Sequence, residues 1–297
     1  MEKIIFSTLA GLALLATPPA RAWTYTDGDL LLVFRENGHK DIEFDLGSVS
    51  NLLGQANGTT NAITGWDTSL VTAEFGTDLT GVSVVLLAVT SKTNATPTAW
   101  LTSAEPNFSA YRPGLSDWNT SLYGAIHSIG SRPVSPVPIA TAGANAYSIN
   151  PTAKQAYDYL VSGGSQNFIP QLGGNAPFTV EQAAPGLLDF WAIQPSGTAQ
   201  NPDTLIGTFI ITTDGALTFI TGPRPPVITS VGRSGNVSTV AFTTTIGNLY
   251  SLSYNNAPGG PAATWPVDGS TLVGDGHVST INRTNSGNAE FYRVNTR

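Results

Sequence analysis

The chain has 297 residues, a net charge of −7 and no cysteine, which excludes disulfide staples, thiol catalysis and thiolate metal sites. Its 13 Lys and Arg against 20 Asp and Glu form no basic stripe, which argues against binding nucleic acid or anionic membranes. Charged residues are 11% of the total, against 31 glycines and 20 prolines; with apolar runs recurring throughout, this composition describes turn-rich β structure rather than disorder.

Residues 1–22 read as a secretory signal peptide. Lys3 supplies the positive start, 4–17 form an apolar stretch broken by Pro18-Pro19, and Ala20-Arg21-Ala22 offers a small-x-small cleavage pattern. The competing membrane-anchor reading needs about 20 apolar residues, more than this stretch holds. After cleavage no transmembrane segment is expected, since the most apolar later run, 84–89, has the length of a strand. The expected location is secreted, extracellular or at the cell surface, and the absence of disulfides in an exported chain points to a bacterial source.

The first strand is predicted over 29–36, where Leu30, Leu31, Leu32, Val33 and Phe34 are apolar at every position, a pattern of burial on both faces. Asn37-Gly38 marks a hairpin turn. The return strand, 40–46, alternates: Ile42, Phe44 and Leu46 on one face, Asp41, Glu43 and Asp45 on the other. The Gly/Asn/Thr-rich stretch 48–78 yields no assigned element. A central strand follows at 81–90, with a partner at 98–102.

Helices are predicted over 117–129 and 151–161. The first carries a stripe of Trp118, Leu122, Ala125, Ile126 and Ile129 with Ser116 as cap; the second opens with Asn150-Pro151 and stops at Gly163-Gly164. The intervening 133–138 reads as an extended linker. Strands resume at 187–193, then at 205–211 and 216–221 around an Asp214-Gly215 turn. Gly222-Pro223-Arg224-Pro225-Pro226 reads as a stiff joint, and strands at 236–243, 249–254, 277–281 and 290–294, with Trp265 and Leu272-Val273, form a compact last set. The expected fold is mainly β: a large sandwich or jelly-roll-like domain over 23–222 with one or two short helices, then a small immunoglobulin- or fibronectin-like sandwich over 223–297.

Catalytic motifs are absent. No Gly-x-Ser-x-Gly elbow, zinc pattern, phosphate loop or dinucleotide fingerprint occurs, and His39, His127 and His277 have no companion at ligand spacing. No catalytic residue and no cofactor is assigned, and the chain is not expected to be an enzyme. Asp41, Glu43 and Asp45 share one strand face; they read either as the wet side of an amphipathic strand or as oxygen ligands for calcium, with glycoside hydrolysis a remote third use. Trp66, Trp100, Trp118, Trp191 and Trp265 read either as buried rings or as a sugar platform, with Trp66 and Trp265, in turn-rich segments, the leading platform candidates.

Gly28-Asp29-Leu30-Leu31-Leu32-Val33-Phe34-Arg35 followed by 41–47 resembles the opening of exported bacterial proteins of the PEP-CTERM-associated type. The stretches 188–195 and 207–219, around Asp214-Gly215-Ala216-Leu217-Thr218-Phe219, resemble the closing strands of that domain. Ala289-Glu290-Phe291-Tyr292-Arg293-Val294 is similar to the ending of small β modules in secreted proteins of Verrucomicrobia-like bacteria. The resemblance implies a surface-associated protein and carries over no catalytic residue. The sorting tail of that type is not read at the end of this chain, where the β module stands instead.

The resulting expectation is a non-enzymatic secreted or cell-surface structural or interaction protein that assembles with copies of itself into an extracellular matrix or filament, through 290–294 and the N-terminal 23–29. The alternative is a carbohydrate-binding protein for surface glycans, and a secreted hydrolase is the third reading.

Overall fold

The computed structural model describes residues 23–104, 118–131, 145–160, 180–195, 204–223, 225–244, 248–257, 264–274, 277–285 and 290–296. The export signal, the Ser116 cap, the 133–138 linker and the Gly163-Gly164 stop lie outside them. The protein is mainly β, and no helix among the described residues is long and apolar enough to cross a membrane.

Ten strands form one curled antiparallel sheet. They are β1 (Asp29–Arg35), β2 (Asp41–Ser48), β3 (Thr60–Ala62), β4 (Ser83–Val89), β5 (Ala99–Ala104), β6 (Ala146–Ile149), β7 (Gln182–Ala183), β8 (Gly186–Ile193), β9 (Thr204–Ile211) and β10 (Leu217–Thr221). Their order is β3-β10-β9-β8-β5-β4-β1-β2-β6, with β7 added to β4. β4 therefore exchanges partners along its length: Leu87, Ala88 and Val89 pair with β5, Ser83 and Val84 with β7. At the junction the Thr102 hydroxyl accepts from the Leu86 amide (3.0 Å) and donates to the Val180 carbonyl (2.7 Å), so the splayed backbone groups stay bonded.

The continuous apolar run of β1 fits its place between β2 and β4. Leu30, Leu32 and Phe34 enter one core with Phe44, Phe190, Phe209 and Phe219. Leu31 and Val33 enter a second core on the opposite face, with Leu87, Leu101, Trp118 and Ile126. The first core draws side chains from strands at both ends of the sheet, which is how the sheet comes to curl around it. Its cover includes α1 (Thr68–Phe75), which buries Leu70 and Val71. This helix lies in the stretch where no element was expected, yet its stops are ordinary: the Asp67 carboxylate accepts from the Ser69 amide (2.8 Å), and Gly76 ends it at φ 93°.

The second core is covered by a π-helical turn, Trp118–Leu122, leading into α2 (Tyr123–Gly130). The predicted 117–129 stripe is thus realised. The predicted 151–161 helix starts later than expected: 151–156 are turns, 157–160 is helical, and 161 lies outside the described residues. Bonds from the Ala153 and Ala156 amides run three residues back, to Asn150 and Ala153, tight turns that bring the next two amides to face the sheet.

After Thr221 the ladder stops. The last six strands, β11 (Ile228–Ser234), β12 (Val237–Thr243), β13 (Leu249–Asn255), β14 (Val267–Val273), β15 (Val278–Thr284) and β16 (Phe291–Thr296), form two three-stranded antiparallel sheets, β11-β12-β15 and β14-β13-β16. Val240, Phe242 and Ile281 of one meet Tyr250, Leu252 and Val294 of the other in a third core. β11 is an addition to the predicted set: its alternation is hidden because all seven of its residues are exposed.

Candidate functional site

Asp41, Glu43 and Asp45 do share a face of β2, but it is not wet: they are 1%, 0% and 6% exposed. The sheet is covered on this side as well, by the segment 145–160. Glu43 Oε1 accepts from the Tyr157 amide (3.1 Å) and Asp41 Oδ2 from the Asp158 amide (2.9 Å). These amides open the helical turn at 157–160, where first-turn N–H groups have no partner within the helix. Asp45 accepts from Asn145 Nδ2 (2.9 Å) and from the Gly47 amide (2.8 Å). Two strand carboxylates thus cap a turn on a distant segment while the third anchors its beginning.

Arg35 flanks this face, bonded through Nε to Glu181 (2.6 Å) and through a terminal nitrogen to Asp158 (2.7 Å). The Glu181 hydrogen bond holds the guanidinium more firmly protonated than usual. The phenol of Tyr157, fully buried beside it, is pushed well up by desolvation and then by the Glu181 charge. Among the described residues no group of three or more His, Cys, Asp or Glu is arranged to hold a metal ion, so the calcium reading of Asp41, Glu43 and Asp45 has no assembled ligand set behind it.

The structure gives His127 the acidic companion that spacing did not reveal. Asp27, 100 positions away, meets His127 Nδ1 at 2.7 Å through Oδ1, and the Tyr123 hydroxyl donates to its Oδ2 (3.0 Å). An Asp–His pair is two parts of a hydrolase triad, but the hydroxyl beside it is a phenol pushed up to about 12 by desolvation and its bond to Asp27, which remains protonated at neutral pH. The cluster clamps the N-terminal segment instead. Trp23 Nε1 donates to the Gly130 carbonyl (2.6 Å), and Asn145 Nδ2 to the Thr24 carbonyl (3.0 Å). A Cβ at Gly130 would lie 2.4 Å from the Tyr25 ring, so only glycine lets the ring approach. Residues 23–29, expected as an assembly element, are thereby committed to contacts within the chain.

Trp66 is core packing: its ring stacks on Phe34 (centroids 5.2 Å), meets Phe44 edge-on (5.9 Å), and its Nε1 donates to the Ile63 carbonyl (3.2 Å). Trp265 is half-buried in the turn before β14, its indole nitrogen buried without a hydrogen bond. The two rings expected as a sugar platform thus sit in different sheets' surroundings, one in the first core and one beside the terminal sheets.

Asp189 is a buried acid that sequence reading passed over. It lies on β8 opposite Leu188 and Phe190, accepts from Thr208 Oγ1 (2.7 Å), and is pushed up to about 6 by desolvation, against the lowering effect of that bond.

The unguarded surface lies elsewhere. Among the described residues, every exposed large apolar side chain falls at or after Val227: Val227, Ile228, Val231, Val267, Val273, Val278 and Phe291. Most lie on strands that are hydrogen-bonded along one side only, since β11, β15, β14 and β16 are all edges. The charged groups near three of these edges are tied together: Arg283 bonds Asp268 (2.9 Å) and Glu290 (3.0 Å) and lies over the Tyr254 ring. β11 contains one charge, Arg233, whose Nε donates to the Gly235 carbonyl next door.

Compared with protein-family profiles, with curated proteins and with solved structures, the chain matches none.

Proposed function

We propose that this is a non-enzymatic secreted or cell-surface interaction protein whose C-terminal β module joins it to further copies, building an extracellular assembly. The observation that carries the reading is a contrast in edges. The large sheet ends in strands of three and four residues, β3 and β6, and short edge strands are a common device against unwanted pairing. The module ends in edges of six and seven residues and presents all the exposed large apolar side chains among the described residues. Among the described residues no strand pairs with the outer side of β11, and Ile228 and Val231 on it, with Val227 just before it, remain to be buried, which suits it to accept a strand from another chain. The terminal strand β16 is an edge too, with Phe291 exposed, but the Arg283 network beside it makes β11 the better candidate.

Light scattering and negative-stain imaging of residues 23–297 test this directly. Discrete oligomers or filaments are expected at high concentration, and Val231→Lys, which puts a charge on the edge without touching the module core, should return them to monomer. A wild-type chain that stays monomeric would end the reading.

A further inference from the structure

At one end of the curled sheet, where the first core opens to solvent, there is a groove of about 530 Å3. This lies within the roughly 300–1,000 Å3 usual for small-molecule sites. Its wall comes from four places in the chain: the loop after the 3-10 turn at 49–51, the β4–β5 hairpin with Trp100, the β8 end with the β9 start, and the β10 end up to Pro223. Among the described residues no ionisable side chain lines it, in a chain that carries 20 acids.

Three groups in this groove have unused hydrogen-bonding capacity. Asn57 is exposed and Gln194 half-exposed, and neither amide makes a hydrogen bond among the described residues. Trp100 belongs to the first core and is 8% exposed. Trp100 lines the groove, and its indole N–H makes no hydrogen bond among the described residues. Gln55 is different: it accepts from Asn61 Nδ2 (2.6 Å) and donates to the Asn51 carbonyl (2.7 Å), which fixes the loop that presents Asn57. Between the polar groups the floor is apolar, with Leu52 and Ile206.

We infer that this groove is a binding site for a neutral saccharide chain. A charged ligand would meet no countercharge among the described residues of the groove and lose its hydration uncompensated. A purely apolar ligand would bury the Asn57, Gln194 and Trp100 donors without partners. A sugar satisfies both demands, because its hydroxyls accept from and donate to amides while its C–H faces rest on Leu52, Ile206 and the indole edge. The net charge of −7 also opposes approach of acidic polysaccharides. The site rests on the large sheet alone and is independent of any assembly through β11.

The test is isothermal titration of the full chain from residue 23 with maltohexaose, cellohexaose, xylohexaose and mannohexaose, and with hexagalacturonate as the charged comparison. Saturable binding of at least one neutral hexasaccharide is expected, accompanied by a change in tryptophan fluorescence, and none of hexagalacturonate. Gln194→Ala and Asn57→Ala should each weaken binding about tenfold with unchanged melting temperature, and Trp265→Ala should leave it unaltered. Absence of saturable binding of all four neutral sugars at millimolar concentration overturns the inference, as does binding insensitive to both groove variants. Val231→Lys, measured in parallel, separates this site from self-association.

Discussion

Asp189 shows how a single buried acid ties stability to pH. Its proton is held more tightly in the folded protein, pushed up to about 6, than in the unfolded chain, where an aspartate titrates near 4. Its contribution to stability is therefore present in full below about pH 4, falls as pH rises towards 6 and is lost above it. A shift of about two units corresponds to a loss on the order of 3 kcal/mol. Asp189→Asn keeps an acceptor for Thr208 and removes the charge. It should raise stability at pH 7 by about 1–3 kcal/mol, with the gain vanishing below pH 4 in urea titrations run across that range. None of this was legible in the sequence, where Asp189 is one polar position in an apolar strand; its burial depends on the cover supplied over the second core. His127 is a parallel case, because Asp27 reaches it only after the N-terminal segment has folded back over α2.

At the scale of elements, local pattern carried far where the chain pairs with its neighbours in sequence. The Asn37-Gly38 and Asp214-Gly215 hairpins, the doubly buried β1 and the Trp118–Ile129 stripe follow from composition and period alone. It failed where a distant partner decides. The period-two alternation of β2 was read rightly, but a polar face reads as wet unless something covers it, and the cover arrives from more than 100 positions away. The same contact explains why the helical turn starts at Tyr157 rather than at 151: Glu43 and Asp41 accept from the amides of Tyr157 and Asp158, its first turn. Glu43→Ala would leave the Tyr157 amide buried without its acceptor, at a cost of about 2–3 kcal/mol. Glu43→Gln, whose amide oxygen still accepts, should cost clearly less, and chemical denaturation midpoints will rank the two. Equal losses would mean that the carboxylate charge, rather than the bond to Tyr157, is what matters. Of the tryptophans weighed for a sugar platform, the two placed first, Trp66 and Trp265, do not line the groove, whereas Trp100 does. A groove assembled from four separated stretches leaves no local trace.

For the whole molecule, the third core shares neither strands nor core side chains with the first two. Phe242→Ala, a large truncation at a fully buried site, should cost about 3–5 kcal/mol and lower only the transition that reports the module. Calorimetry of the full chain should then show one melting event moved and the other in place; a single transition shifting as a unit would mean that the two parts unfold together. The open edge of β11 has a consequence of symmetry. Paired with β11 of a second copy about a two-fold axis, it consumes both edges and growth stops at a closed dimer. Paired with a different edge, such as β16, it leaves one free edge of each kind on the pair, and addition continues head to tail into a fibre. The size distribution in solution thus reports which edge is the acceptor: a sharp species of two copies for the first, a length distribution that grows with concentration for the second.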